Sequence, residues 1–139
     1  MAANPQFAST PQYRLVTVNN STGGSRTSAT ANSFTLITGT SGSGFSGTKV
    51  TQIGGKYTST NAAGLVYIYI TNTTGASSSA LLYDELLFTA TTPSTTAVSA
   101  RVINTYTDLQ LMPGQSILVS SSINASTQSL TVWASGGDF

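Results

Sequence analysis

Six consecutive residues, Leu65-Val66-Tyr67-Ile68-Tyr69-Ile70, limit what this chain can fold into more than any other stretch. They are mostly β-branched or aromatic, side chains that lose rotamer freedom in a helix but pack well on a pleated surface. Asn72-Thr73-Thr74-Gly75 then stops the run, a cluster of residues suited to a turn. In a strand, alternate side chains face opposite ways, so Tyr67 and Tyr69 share one face while Val66, Ile68 and Ile70 share the other. Neither face is strongly polar, so both need cover. The run reads as a central strand of a two-layered β structure.

Shorter β-type runs surround it. Arg14–Val18, Ser33–Thr38 and Lys49–Ile53 read as strands, the last ended by Gly54-Gly55. Gly39–Gly47 is almost wholly Gly, Ser and Thr around Phe45 and reads as a mobile loop. Residues 80–89 are ambiguous: Leu82 and Leu86 lie at helical spacing, yet no capping box precedes them and their neighbours are β, so strand is favoured over a short helix. Val98–Thr107 is a further strand. Leu109-Gln110-Leu111 and Ser116–Ser120 read as a hairpin around Pro113-Gly114, where Pro presets φ and Gly accepts the positive φ of a type II turn. Ser129–Ala134 closes the series, with Leu130, Val132 and Ala134 on one face. Seven to nine short strands predict an antiparallel β-sandwich, jelly-roll or immunoglobulin-like, as one domain over 13–139. Residues 1–12, with Pro5 and Pro11 among polar neighbours, read as an extended N-terminal arm.

Composition supports β and narrows function. The chain has 139 residues, enough for one core. Charged residues are 6% of it, against about a quarter in an average soluble domain, and hydroxyl side chains take their place. The net charge is +1, and the five cations Arg14, Arg26, Lys49, Lys56 and Arg101 are scattered along the sequence. Phosphate-tracking grooves need clustered cations, so no nucleic-acid partner is expected. Cysteine is absent, which suits a reducing compartment. The start, Met1-Ala2-Ala3-Asn4-Pro5-Gln6, lacks a signal peptide's charged flank and apolar run, and Leu65–Ile70 is too short to span a bilayer. The expectation is a protein made in a cytoplasm, with no membrane partner.

The residues offer little to catalysis. With no His and no Cys, the usual base, thiol nucleophile and zinc ligands are missing. Ser46 and Lys49 have Ser-x-x-Lys spacing, but these side chains meet only on a helix, and a loop running into a strand points them apart. Asp84 and Glu85 are adjacent, hence on opposite faces of a strand, and read as a solvated strand end. No Asp-rich calcium loop is present, so no metal or cofactor is expected. Gly42-Ser43-Gly44-Phe45-Ser46-Gly47 fits G-x-G-x-x-G, but a β-type segment follows where phosphate binding needs a helix N-terminus. N-glycosylation sequons begin at Asn20, Asn72 and Asn124 among others, as expected by chance in a chain about one-third Ser and Thr. The remaining candidates are interface anchors: Pro5, Phe7, Pro11, Tyr13, Phe45, Tyr57, Tyr106, Trp133 and Phe139, residues in the arm, in loops or near strand ends. For the aromatics, closing the ends of the core is the competing role.

From Lys49 onward, about two-thirds of the chain, the order of features resembles small β-sandwich virion proteins of tailed bacteriophages. Val50-Thr51-Gln52-Ile53 precedes the central strand and Asn72-Thr73-Thr74. Leu109-Gln110-Leu111-Met112-Pro113-Gly114-Gln115-Ser116-Ile117 and Leu130-Thr131-Val132-Trp133-Ala134-Ser135-Gly136-Gly137 follow, an ending similar to capsid decoration, head-fibre and tail-associated proteins. The resemblance implies a non-enzymatic structural protein of the virion, assembled in the host cytoplasm. It further implies a homo-oligomer, dimer or trimer, bound to the major capsid protein or another virion protein. Decoration (cement) is the role expected first, and a tail, neck or fibre component second. A receptor- or carbohydrate-binding module is the alternative from another class.

Overall fold

The computed structural model describes residues 10–29, 32–42, 44–72 and 79–139. Nine strands form among them: β1 (Thr10–Val18), β2 (Phe34–Thr38), β3 (Thr48–Tyr57), β4 (Gly64–Thr71), β5 (Leu81–Phe88), β6 (Arg101–Thr105), β7 (Gln110–Leu111), β8 (Ser116–Ser121) and β9 (Leu130–Asp138). One sheet has the order β1-β9-β3-β6, with β7 also on β3; the other has the order β2-β8-β4-β5. Every pairing is antiparallel.

The pairings nest. β4 pairs with β5, β3 with β6 and β7, β2 with β8, and β1 with β9, as if the chain were one long hairpin. That hairpin is rolled, so that β9 also pairs with β3 and β8 with β4. This is jelly-roll topology, and the immunoglobulin-like alternative falls away. β6 and β7 act as one interrupted edge: the Tyr106 amide donates to the Thr51 carbonyl and the Val50 amide to the Leu109 carbonyl between them.

The core lies between the sheets, and strand parity decides who enters it. Leu130, Val132 and Ala134 are fully buried, as their alternation predicts. Val66 and Ile68 join them, while Tyr67 and Tyr69 face outward into a second, smaller cluster with Ala29 and Leu118. The β1–β2 connection roofs that outer face: the Tyr69 hydroxyl donates to the Ser25 carbonyl at 2.6 Å, and the Arg26 guanidinium sits 6.0 Å from the Tyr67 ring centroid. Burial, with the charges of Tyr67 and Glu85, pushes the Tyr69 hydroxyl pKa up to about 12. Asn20 pins the same connection, its buried amide donating to the Thr22, Ser121 and Ile123 carbonyls. Asn20 is therefore a structural hub, its amide nitrogen committed to main-chain carbonyls.

Four expectations need correction. Residues 10–12, assigned to the arm, lie in β1 and pair with residues 136–138; the rest of the arm lies outside the described residues. Pro11 is tolerated there because β1 is an edge strand. Gly54-Gly55 does not end β3 but lies inside it. A Cβ on Gly54 would stand 2.3 Å from the Trp133 ring on one face, and a Cβ on Gly55 2.8 Å from the Phe88 ring on the other. The glycines are spaces for two aromatic rings. The Pro113-Gly114 turn forms, with Gly114 at φ +86 and the Gln115 amide donating to the Met112 carbonyl. Its flanking strands do not pair with each other, however: β7 joins β3 and β8 joins the other sheet, so the turn is a corner between layers. The described residues of Gly39–Gly47 form no strand, as expected, but are fastened rather than mobile, the Ser46 amide donating to the Phe139 carbonyl and the Gly39 amide to the Gln115 carbonyl.

Residues 81–88 are strand, as favoured. Because Trp133 is the sole tryptophan and lies over Gly54, Gly54→Ala should lift the indole. The expected outcome is a red-shifted emission together with a stability loss of about 1–3 kcal/mol by chemical denaturation.

Candidate functional site

Two surfaces stand out, and each follows from strand position. The first is β5, the exposed edge of its sheet. Leu86 and Phe88 point into the core, so Glu85 and Leu87 point outward. A bulge opposite Ile68 and Tyr69 leaves Tyr83 as the extra residue, because Ile68 pairs with Asp84 and Tyr69 with Leu82. Leu81 is left 76% exposed and Leu87 65% exposed, with Leu82 and Tyr83 also exposed between them. An edge strand with apolar side chains invites pairing unless something blunts it.

Asp84 and Glu85 take separate roles at this edge. Glu85 pairs with Arg26 of the roofing connection at 2.5 Å. Asp84 turns toward β6 and accepts from the Tyr106 hydroxyl at 2.6 Å and the Asn104 amide at 2.8 Å. The expected solvated strand end is instead a polar clasp joining the edges of the two sheets. Burial alone would raise the Asp84 pKa, but the hydrogen bonds from Tyr106, Asn104 and the Glu85 amide hold it below the ordinary value of 3.8. Tyr106 is pushed upward, first by burial and then by Asp84. A second carboxylate, Asp138, is buried at the end of β9 and accepts from Thr48 Oγ1 at 2.6 Å and Gln12 Nε2 at 2.8 Å. Burial would raise its pKa too, but Thr48, Thr40, Gln12 and the charge of Arg14 together lower it.

The second surface is the outer face of the β1-β9-β3-β6 sheet. Register aligns three cross-strand rows on it: Tyr13, Ser135, Gln52 and Thr105; then Leu15, Trp133, Gly54 and Ile103; then Thr17, Thr131, Lys56 and Arg101. Tyr13, Gln52, Lys56, Arg101 and Trp133 line an open depression of about 390 Å³. The Arg101 guanidinium sits 5.6 Å from the Trp133 ring centroid. Lys56 and Arg101, distant in sequence, are direct cross-strand partners.

Among the expected interface anchors, Tyr13 is 62% exposed and Trp133 half-buried, and both line this depression. Pro11 is exposed on β1 nearby. Phe45 and Phe139 are half-buried around the fastened loop, where the Phe139 ring approaches Gly47. Tyr57 is not an anchor: it is 1% exposed and packs edge-on against Phe88 with centroids 5.0 Å apart. Its parity with Ile53 and Gly55 turns it inward. Tyr106 is half-buried and committed to the Asp84 clasp. Pro5 and Phe7 lie outside the described residues.

The phosphate-loop-like glycines run into β3 rather than a helix, and Lys49 of the Ser-x-x-Lys spacing is already in that strand. Among the described residues no group of three His, Cys, Asp or Glu side chains converges, and no helix is long and apolar enough to cross a membrane. Gln52, Lys56, Arg101 and the β5 leucines are surface groups that nothing in the linear sequence singles out, apart from alternation along β5.

No family model, curated protein or solved structure matches the chain.

Both carboxylates have lowered folded pKa values, so their contribution to stability is complete above about pH 4 and is lost as pH falls through the folded values. Asp138→Asn should cost about 1–3 kcal/mol at neutral pH, and together with Asp84→Asn it should flatten the acid limb of a denaturation-midpoint profile between about pH 5 and 2.

Proposed function

We propose that the chain is a structural virion protein of a tailed bacteriophage, a capsid decoration (cement) protein that docks its β5 edge on the major capsid protein and works without catalysis. The observation that carries this reading is the exposed apolar set Leu81, Leu82, Tyr83 and Leu87 spread over both sides of an edge strand. Apolar side chains held in water gain about 25 cal/mol per Å² when a partner covers them, and the edge backbone supplies hydrogen bonds that direct an incoming strand. The order of features from Lys49 onward, similar to phage sandwich proteins, gives the partner its class. The scarcity of charge suits contacts that persist across a range of salt. A tail, neck or fibre component is the nearest variant of the same reading, and self-association into a dimer or trimer through the edge is compatible with both.

Purified protein mixed with empty heads and with isolated tails separates the two. Co-sedimentation with heads is expected, and it should be abolished by Leu81→Glu with Leu87→Glu while the unfolding free energy stays within about 1 kcal/mol of the parent, since both positions are exposed. Sedimentation with tails alone moves the protein to the tail. Sedimentation with neither, or binding that ignores the two glutamates, sinks the docking role of β5.

A further inference from the structure

We infer that the outer face of the β1-β9-β3-β6 sheet binds an acidic saccharide, with Lys56 and Arg101 taking its carboxylate and Trp133 and Tyr13 supporting its rings. This goes beyond the virion reading and does not depend on it. The central observation is an uncompensated charge pair. Lys56 and Arg101 stand directly opposite each other in the β3–β6 ladder, an arrangement in which like charges repel and oppose folding.

No acid relieves them. The chain has four carboxylate side chains, and each is placed elsewhere. Asp84 is in the clasp with Tyr106, and Glu85 is paired with Arg26 at the other sheet. Asp138 is buried with Thr48 and Gln12. Asp108 follows the end of β6 that pairs with Gln52, the far end from Arg101. Two cations on facing strand positions with no carboxylate beside them form a fork for an anion, and a guanidinium meets a carboxylate with two parallel hydrogen bonds.

The neighbouring groups specify the rest of the ligand. The indole rests over Gly54, where any side chain would displace it, with the Arg101 guanidinium 5.6 Å from its centroid, and it lines the depression with Tyr13. Tyr13, 62% exposed, stands one row further along. The three rows span about 14 Å at ordinary strand rise, room for a short oligosaccharide. Around the rings lie hydroxyls and an amide, Thr17, Thr131, Ser135, Thr105 and Gln52, suited to sugar hydroxyls. Single-stranded nucleic acid fits less well. Its phosphates repeat along the strand, whereas this face offers the Lys56–Arg101 pair and, three rows away, Lys49 alone.

The test titrates the intact protein with trigalacturonate, with its methyl ester and with hexathymidylate, following Trp133 emission and calorimetric heat. Saturable binding of trigalacturonate is expected, about tenfold or more tighter than either control. Lys56→Gln and Arg101→Gln should each weaken it about tenfold. The ligand-free unfolding midpoint of Lys56→Gln should hold or rise, because repulsion is removed, and this separates a lost site from a lost fold; Arg101→Gln also gives up its contact with the indole. Tyr13→Ala, at an exposed position, supplies a ring test that does not disturb the Gly54 contact. Equal binding of acid and ester, tighter binding of hexathymidylate, no saturation at millimolar trigalacturonate, or unchanged affinity in the Lys56 and Arg101 variants would each overturn the assignment.

Discussion

β9 hydrogen-bonds to β1 along one side and to β3 along the other, and β8 does the same between β2 and β4. These two strands lie in the last quarter of the chain, yet they occupy interior positions of both sheets. Until they arrive, β1 and β2 have no partners at all, and the apolar face of β4 has only β5 beside it. The pairings therefore join residues far apart in sequence, which places loop-closure cost ahead of most of the stabilising contacts. The sandwich is accordingly expected to fold as one unit, and the short connections around Asn20 and the fastened Gly/Ser loop act mainly by holding the ends of strands already paired.

Much of this architecture was legible because period-two alternation is a local signal. The β4 run, the burial of Leu130, Val132 and Ala134, and the strand over 81–88 all follow from it. What alternation cannot carry is partner choice. Pro113-Gly114 specifies a turn equally well within a sheet or between two, and only the distant β3 and β4 decide between them. Gly54-Gly55 looked like a strand end because the rings that need its space, Trp133 and Phe88, come from elsewhere in the chain. Ending β3 at Ile53 also hid Tyr57, whose inward parity becomes visible only when the strand continues. For the same reason, Lys56 and Arg101 looked scattered until register placed them in one row.

The scarcity of charge makes the placement of each charged group informative. Three of the four acids are engaged internally: one clasps the sheet edges, one fastens the roofing connection, and one is buried where β9 meets β3. Structural use of the acids leaves Lys56 and Arg101 without counter-ions, although the whole chain is nearly neutral. Local electrostatics are thus set by the fold rather than by net charge.

The two broad faces of the sandwich differ in what an approaching molecule must displace. Over the β2-β8-β4-β5 sheet, the Tyr69–Ser25 hydrogen bond and the Arg26–Glu85 pair hold a lid of main chain in place. Among the described residues, the opposite sheet carries no such main-chain cover over Tyr13 and Trp133, and its groups are fixed by rigid strands on either side. Encounter there meets no described segment that must peel away first, which leaves diffusion and orientation to limit association.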